Sequence, residues 1–349
     1  MLGVLEKIDH IFRAHHITQW ALLPVSESTT AHHLDQWLAQ NMHGTMQWMQ
    51  REDTVRKRHD VHQIVPWARS IITCAIPYTP PVIPPELLSD RSRGIIARYA
   101  LFDDYHDVLT QQLTHAAEAL KKELGDFQYR VYVDTGPILE REWAQRGELG
   151  FFGRNSNLID WSLGSYLFLC EIIVSIPLPE VKRKQIGSCG HCRACKDGCP
   201  TQAIIDDKIV DARKCISYLT IEYKGSIPEE LRPLMKNRIY GCDICQEVCP
   251  WNRKPKSNEE WMHTLNLHRD RIAPPLESLL FFSDDDFKRW TLHSPMTRVK
   301  RECFMRNISV ALGNWGTHDA SLLLKDIVRL DTSPLVLEHA QWALSQCSG

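Results

Sequence analysis

What this 349-residue chain lacks narrows it before anything it contains. No apolar run is long enough to cross a bilayer. The most apolar one, YLFLCEIIVSIPL at Tyr166–Leu178, is broken by Glu171 and falls short of the roughly 20 residues a spanning helix needs, so it reads as a buried strand. The opening MLGVLEKIDHIFRAHH carries Glu6, Lys7 and Asp9 inside its apolar run, which leaves no uninterrupted core for a secretory signal. Net charge is nearly absent, with 41 Lys+Arg against 43 Asp+Glu. No global field therefore draws in nucleic acid, and such a partner needs a local basic patch. There is no G-x-x-x-x-G-K phosphate loop and no H-E-x-x-H. The glycines of GELGFFG (Gly147–Gly153) follow G-x-x-G-x-x-G, not the dinucleotide fingerprint. The expectation is a cytoplasmic protein with no membrane attachment.

Cysteine, by contrast, is abundant: twelve residues. In a compartment that keeps thiols reduced, that number argues for metal rather than disulfides. SCGHCRACKDGCP places Cys189, Cys192, Cys195 and Cys199 as C-x2-C-x2-C-x3-C ahead of Pro200, the bacterial ferredoxin run. Short two-residue gaps aim three thiolates at one cubane cluster, and the x3 step with its proline turns the fourth toward another. GCDICQEVCPWN adds Cys242, Cys245 and Cys249 before Pro250, and DARKCISY supplies Cys215. Four, three and one make eight thiolates, enough for two [4Fe-4S] clusters. The ferredoxin exchange assigns Cys189, Cys192, Cys195 and Cys249 to one, and Cys199, Cys215, Cys242 and Cys245 to the other. A pair of zinc ribbons is the competing reading, but it has no use for Cys195 or for the two prolines. Cys74, Cys170, Cys303 and Cys347 stand alone and read as core or incidental thiols.

About 185 residues precede this region and about 100 follow it, more than an electron carrier needs, so the electrons are used within the chain. The first part mixes strand and helix patterns. SIITCAIPY (Ser70–Tyr78) and FQYRVYV up to Val133 read as strands. Leu109, Leu113, Ala116 and Leu120 form one face of a helix closed by Gly125. The predicted fold is an α/β (α+β) domain over residues 1–180, a ferredoxin-like double-cluster domain over 181–258, and a helical region over 259–349. In the last, two Ser-Pro pairs, Ser294-Pro295 and Ser333-Pro334, read as helix starts of HEAT-like pairs.

Asp134 stands where a strand ends and a Gly-Pro turn begins, an address suited to a proton donor and equally to an aspartate capping its own turn. Basic residues gather in TRVKRECFMRN (Arg298, Lys300, Arg301, Arg306) and around Lys224. They read as either a phosphate-binding face or a solvated helix face.

Taken together, IARYALFDDYHDVL, VDTGPILEREWAQRGELGFFGRNSNLI, the two cysteine runs, DARKCISYLTIEYKG and MRNISVALGN resemble the epoxyqueuosine reductase family over nearly the whole chain. The resemblance implies an N-terminal domain related to reductive dehalogenases that holds a base-off cobalamin. It also implies two [4Fe-4S] clusters relaying electrons to it from a low-potential donor, and a HEAT-like tail. The implied substrate is tRNA carrying epoxyqueuosine in its anticodon loop, acted on by a monomer. The reaction takes two electrons and two protons, removes the epoxide oxygen as water, and uses Asp134 as proton donor, kept protonated by burial. Cobalamin contacts are implied at Arg58, Arg98, Asp134, Asn157, Ser165, Ser217 and Lys224, and tRNA contacts at Lys224, Arg298, Lys300, Arg301 and Arg306. DYHDVL begins like the D-x-H-x-x-G of histidine-ligated cobalamin proteins but ends in Leu109, so His106 is not expected to bind cobalt. The alternatives are a dehalogenase-like corrinoid enzyme on a small substrate, which leaves the basic tail without a task, and a ferredoxin-type carrier, which leaves the first domain without one.

Overall fold

In a computed structural model, which describes residues 2–184, 187–253, 259–281 and 283–347, the first part is organised around a four-stranded sheet. Its strands are β1 (Trp20–Pro24), β2 (Ser70–Pro77), β3 (Tyr129–Val133) and β4 (Leu167–Val174). They lie in the order β1-β2-β4-β3, each pair antiparallel. Every residue of β2 is buried, which explains why SIITCAIP shows no polar alternation: both faces of the sheet are covered. On one face Ile72, Cys74, Cys170 and Ile172 meet Ile8 and Phe12 of α1 (Leu2–Ala14) and Leu109, Leu113 and Leu120 of the helix Tyr105–Leu124. On the other, Ile71 and Ile173 meet Trp143 of the helix Glu140–Arg146. A side chain of that size is worth about 1.5–3 kcal/mol when it leaves water, so the sandwich is the rigid frame of this half. The helix Tyr105–Leu124 ends at Gly125, whose φ of 94° is open to glycine and strained for other residues.

Helix α2 spans Glu52–His59, α3 spans Tyr105–Leu124 and α4 spans Glu140–Arg146. Among the described residues the helices of the cysteine-rich segment are short, and they include α5 (Ala194–Gly198), α6 (Ile216–Ile221) and α7 (Ile244–Glu247). Phe151–Phe152 pairs with Leu158–Ile159 as a small hairpin beside them, so GELGFFG leads into a hairpin and not a nucleotide-binding helix. The C-terminal part packs α8 (Arg301–Trp315) against α9 (His318–Leu330) and α10 (Pro334–Gln346). From Cys303 to Gly313 every residue of α8 is buried.

Ser333-Pro334 opens α10 as expected, but Ser294-Pro295 does not open α8. Ser294 Oγ accepts the N–H of Met296 at 3.2 Å and caps a single 3₁₀ turn, Pro295–Arg298. The chain then extends at Val299 before the helix begins, so the two Ser-Pro pairs are not equivalent repeat starts.

The segments share their cores. Ile95–Ile96 pairs in parallel with Arg238–Tyr240, and Ile95, Ala100 and Leu101 pack with Met296, Phe304 and Ile308. Trp261 is wholly buried in the core of the sheet, its Nε1 donating to the Pro77 carbonyl at 2.7 Å. Among the described residues no helix is long and apolar enough to cross a membrane.

Candidate active site

Asp134 follows directly on β3 and turns the chain with a left-handed backbone, φ 57°. Aspartate tolerates this better than most residues, at a cost of about 1–3 kcal/mol. Its N–H donates to Glu140 Oε1 at 2.6 Å, at the first residue of α4. The carboxylate does not cap its own turn. Its Oδ2 accepts from Tyr105 Oη at 2.9 Å and meets His106 Nε2 at 3.3 Å. Some 59% of the Asp134 side chain is exposed, but what it faces is a cavity of about 1380 Å³ and not bulk water. That exceeds the ~300–1,000 Å³ of an ordinary small-molecule pocket.

The cavity gathers every part of the chain. Trp37, Met46 and Trp48 come from the N-terminal segment, Tyr99 and Tyr105 from around the start of α3, Ser217 and Ile221 from α6, and Pro295 and Arg298 from the capped turn. At its edge the Trp48 ring lies 5.6 Å from the Arg58 guanidinium and 5.9 Å from that of Arg298. Arg298 also pairs with Glu222.

Charge inside the cavity is organised around Asp134. Burial pushes its carboxyl up, but hydrogen bonds from His106 and Tyr105, with the charges of His106 and Arg298, outweigh burial and hold it below its ordinary value. Hydrogen bonds from His106 and Tyr105, and not burial, thus set the direction of its shift in this cavity. His106 shows the complement. Burial pulls the imidazole down, while Asp104 at 2.6 Å from Nδ1 and Asp134 on Nε2 raise it to about 9. Behind Asp134, Glu171 is wholly buried in β4 between Thr73 and Tyr132. Neither of its oxygens has a partner at normal hydrogen-bond distance, and the Glu140 carboxyl interacts with it at longer range. Burial, then the charges of Glu140 and Asp134, push Glu171 well up. Burial and Asp134 push Glu140 up to about 8.

The thiols fall into two groups. Cys189, Cys192, Cys195 and Cys249 line one cavity of about 250 Å³, together with Arg154, Asn155 and Trp251. Cys199, Cys215, Cys242 and Cys245 all lie on the wall of the large cavity. Asn155 borders both and donates to the Cys245 carbonyl at 3.2 Å. Backbone N–H groups already face sulfur, Arg154 N to Cys189 Sγ at 3.4 Å and Ala203 N to Cys199 Sγ at 3.3 Å, as protein-bound iron–sulfur clusters require. The donor sets therefore fit four-thiolate clusters.

Comparison with known proteins accords with this arrangement. Residues 188–252 match the family model for a 4Fe-4S double cluster binding domain, and residues 58–135 match the one for epoxyqueuosine reductase QueG, DUF1730. Epoxyqueuosine reductase of Shigella dysenteriae is 39% identical over 98% of this chain and 91% of its own length. The chain belongs to the epoxyqueuosine reductase family. Two solved epoxyqueuosine reductases superpose on it, each at 29% identity. One, with a tRNA-Tyr epoxyqueuosine-modified stem loop, has a TM-score of 0.87 and covers 100% of this chain and 91% of its own. The other, from Bacillus subtilis, has its catalytic loop swung out of the active site, with a TM-score of 0.84 and coverage of 99% and 91%.

Within this epoxyqueuosine reductase fold, the residues expected to touch cobalamin separate. Arg58, Asp134, Asn157 and Ser217 line the large cavity, whereas Arg98, Ser165 and Lys224 are not part of its wall. Arg98 is buried and tied to Asp243 and Glu247, its N–H and its Nη2 each at 2.7 Å. Ser165 is bonded to Asn252 and Gln246, and Lys224 is exposed.

The basic run separates as well. Arg298 and Lys300 are open to solvent. Arg301 is held by Asp331 at 2.8 Å and the Phe281 carbonyl. Arg306 is wholly buried, donating to the carbonyls of Leu219, Tyr223 and Gly225 at 2.7–2.8 Å. An RNA face is therefore corrected for Arg306: its guanidinium fastens α8 to the segment after α6. Sequence reasoning missed Tyr105, Glu140 and Arg141 on the wall and set His106 aside. The adjacency of Asp104 and His106 was the one local signal for the pair.

Proposed function

We propose that this chain reduces epoxyqueuosine to queuosine in tRNA, with Asp134 handing the proton to the departing oxygen and two [4Fe-4S] clusters carrying electrons to a base-off cobalamin in the large cavity. The observation that carries this reading is the placement of the cysteines. One set of four surrounds its own cavity with Cys192 exposed, while the other shares a wall with Asp134. Electrons from a low-potential donor would enter at Cys189, Cys192, Cys195 and Cys249. They would leave through Cys199, Cys215, Cys242 and Cys245.

A corrin fits the cavity by volume and by its mixed wall, where aromatic and thioether side chains stand among many polar and charged ones. Arg58, Asn157 and Ser217 would hold it, and when bound it supplies reduced cobalt as the electron-rich centre. The residues of the chain do the rest. Tyr105 and His106 orient the Asp134 carboxyl, Trp48 and Arg298 line the cavity, and Lys300, exposed two residues on, would add charge for the RNA backbone. Unstacked loop bases lie readily on aromatic and guanidinium planes, which the Arg58–Trp48–Arg298 edge offers. We assign residues 1–180 to the cobalamin-binding domain of reductive dehalogenase kind, 181–258 to the clusters and 259–349 to the HEAT-like RNA-binding region, acting as a cytoplasmic monomer.

Anaerobic metal and corrinoid analysis tests the proposal. It expects about eight iron per chain, as two four-iron clusters require, and about one bound cobalamin, with conversion of an epoxyqueuosine stem loop. Eight iron with no cobalamin bound and no conversion would leave an electron-transfer protein.

A further inference from the structure

The proposed reaction consumes two protons, and Asp134 shares its carboxylate oxygen Oδ2 with a histidine that a second aspartate holds in place. Asp104 is the N-cap of α3 and accepts the N–H of His106 at 3.1 Å; the same oxygen, Oδ1, holds His106 Nδ1 at 2.6 Å. That contact fixes the ring so that Nε2 faces Asp134 Oδ2 at 3.3 Å. The ring is clamped from the side as well. His106 stacks on Tyr105 at 4.0 Å, and Tyr105 stacks on Phe168 at 4.1 Å, with planes 28° and 14° apart. Only a quarter of the His106 side chain is exposed, and like Asp134 it lies on the wall of the large cavity. A histidine between two carboxylates, aimed by one at the other, is arranged to pass protons in one direction.

We infer that His106, oriented by Asp104, is the store from which Asp134 receives each proton it delivers to the epoxide oxygen. The inference rests on the function proposed above. As the C–O bond breaks, the oxygen takes a proton from the Asp134 carboxyl, and Nε2–H of the imidazolium passes its proton to the Asp134 carboxylate. The neutral imidazole, still bonded to Asp104 through Nδ1–H, takes a new proton at Nε2, the nitrogen it has just emptied, from water in the cavity. The second proton, with which the oxygen leaves as water, follows the same course. The two electrons come from the low-potential donor through the clusters, so each proton is matched by one electron. His106 acts through Asp134 and is a positioning and proton-supplying residue, not a group that touches substrate. The charged groups around the relay are Asp104 and Asp134 themselves, with Glu140, Arg141, Glu171 and Arg298 acting on Asp134 and Glu222 paired with Arg298.

The test compares the reconstituted wild type with His106→Gln, His106→Ala and Asp104→Asn on an epoxyqueuosine stem loop. Conversion by the wild type first checks the function itself. The inference then expects kcat to fall about 10²-fold or more in His106→Gln, with stem-loop Kd unchanged. It also expects the basic limb of the wild-type pH profile, near pH 9, to move toward the acid side. Imidazole should restore His106→Ala. A ¹⁵N-histidine titration gives a readout independent of turnover: the His106 midpoint should lie near 9 in the wild type and drop in Asp134→Asn. An active wild type whose His106 variants keep their rate and pH profile would overturn the inference and leave the function standing. A His106 midpoint at or below its ordinary 6.5 would overturn it as well.

Discussion

Replacing Glu171 with glutamine should make the protein more stable, and increasingly so as pH rises. Glu171 is wholly buried in the middle of the sheet with neither oxygen satisfied, and Glu140 and Asp134 lie on the same side as like charges. A carboxyl raised in the folded state keeps its proton where the unfolded chain has lost it. The folded protein therefore binds more protons above the ordinary carboxyl range, and stability falls as pH rises from about 4.5 toward the Glu140 value of about 8. Moving Glu140 from 4.5 to about 8 corresponds to about 4–5 kcal/mol between its two protonation states. Removing one ionisable member of the pair should release a part of this, roughly 2 kcal/mol at pH 8.5 and close to nothing at pH 5. Calorimetry of Glu171→Gln and wild type at pH 5, 6.5 and 8.5 should show a Tm difference that opens by a few degrees across the series. Because other groups cancel in the comparison, a difference independent of pH would refute the reasoning.

Asp134→Asn should lower the rate of epoxide reduction about 10²- to 10⁴-fold, the usual worth of a positioned proton donor, while iron content stays unchanged. Cys215→Ser should cut iron from about eight to about four per chain, because Cys215 is the lone thiolate between two runs. Arg298→Ala should leave the fold intact and reduce the salt dependence of stem-loop binding by about one counterion. Arg306→Met should instead destabilise the chain by on the order of 3 kcal/mol or more, by leaving three buried carbonyls unsatisfied; a salt slope that changed with no loss of stability would contradict its assignment.

The cysteine runs were legible because cluster ligation is largely a local matter: two- and three-residue gaps set where sulfur can point. Asp134 was legible for a similar reason, since a strand end followed by Gly-Pro is a short pattern. Its protonation was not. His106 reaches it from a helix that begins 29 residues earlier at Tyr105, and no spacing rule connects them. Glu171 served in the sequence only to break an apolar run, because a buried acid looks the same as a surface one until the sheet encloses it. Arg306 misled in the opposite direction. A charge in a basic run suggests solvent, and its burial depends on carbonyls some 80 residues away at Leu219–Gly225. Ser294-Pro295 has the composition of a helix start, but buried Ser294 ends its bonding within one 3₁₀ turn.

The sharing of cores between distant segments bears on how the protein is made. The core around Ile95 and Leu101 is completed only when Phe304 and Ile308 have been synthesised, roughly 200 residues later. At ribosomal speeds that is a delay of about 10–40 s. The wall that carries Arg298 closes last, so the sheet, the thiols and Asp134 all emerge while the chamber is still open on one side. Large guests have that interval in which to enter before the wall of Arg298 narrows the opening.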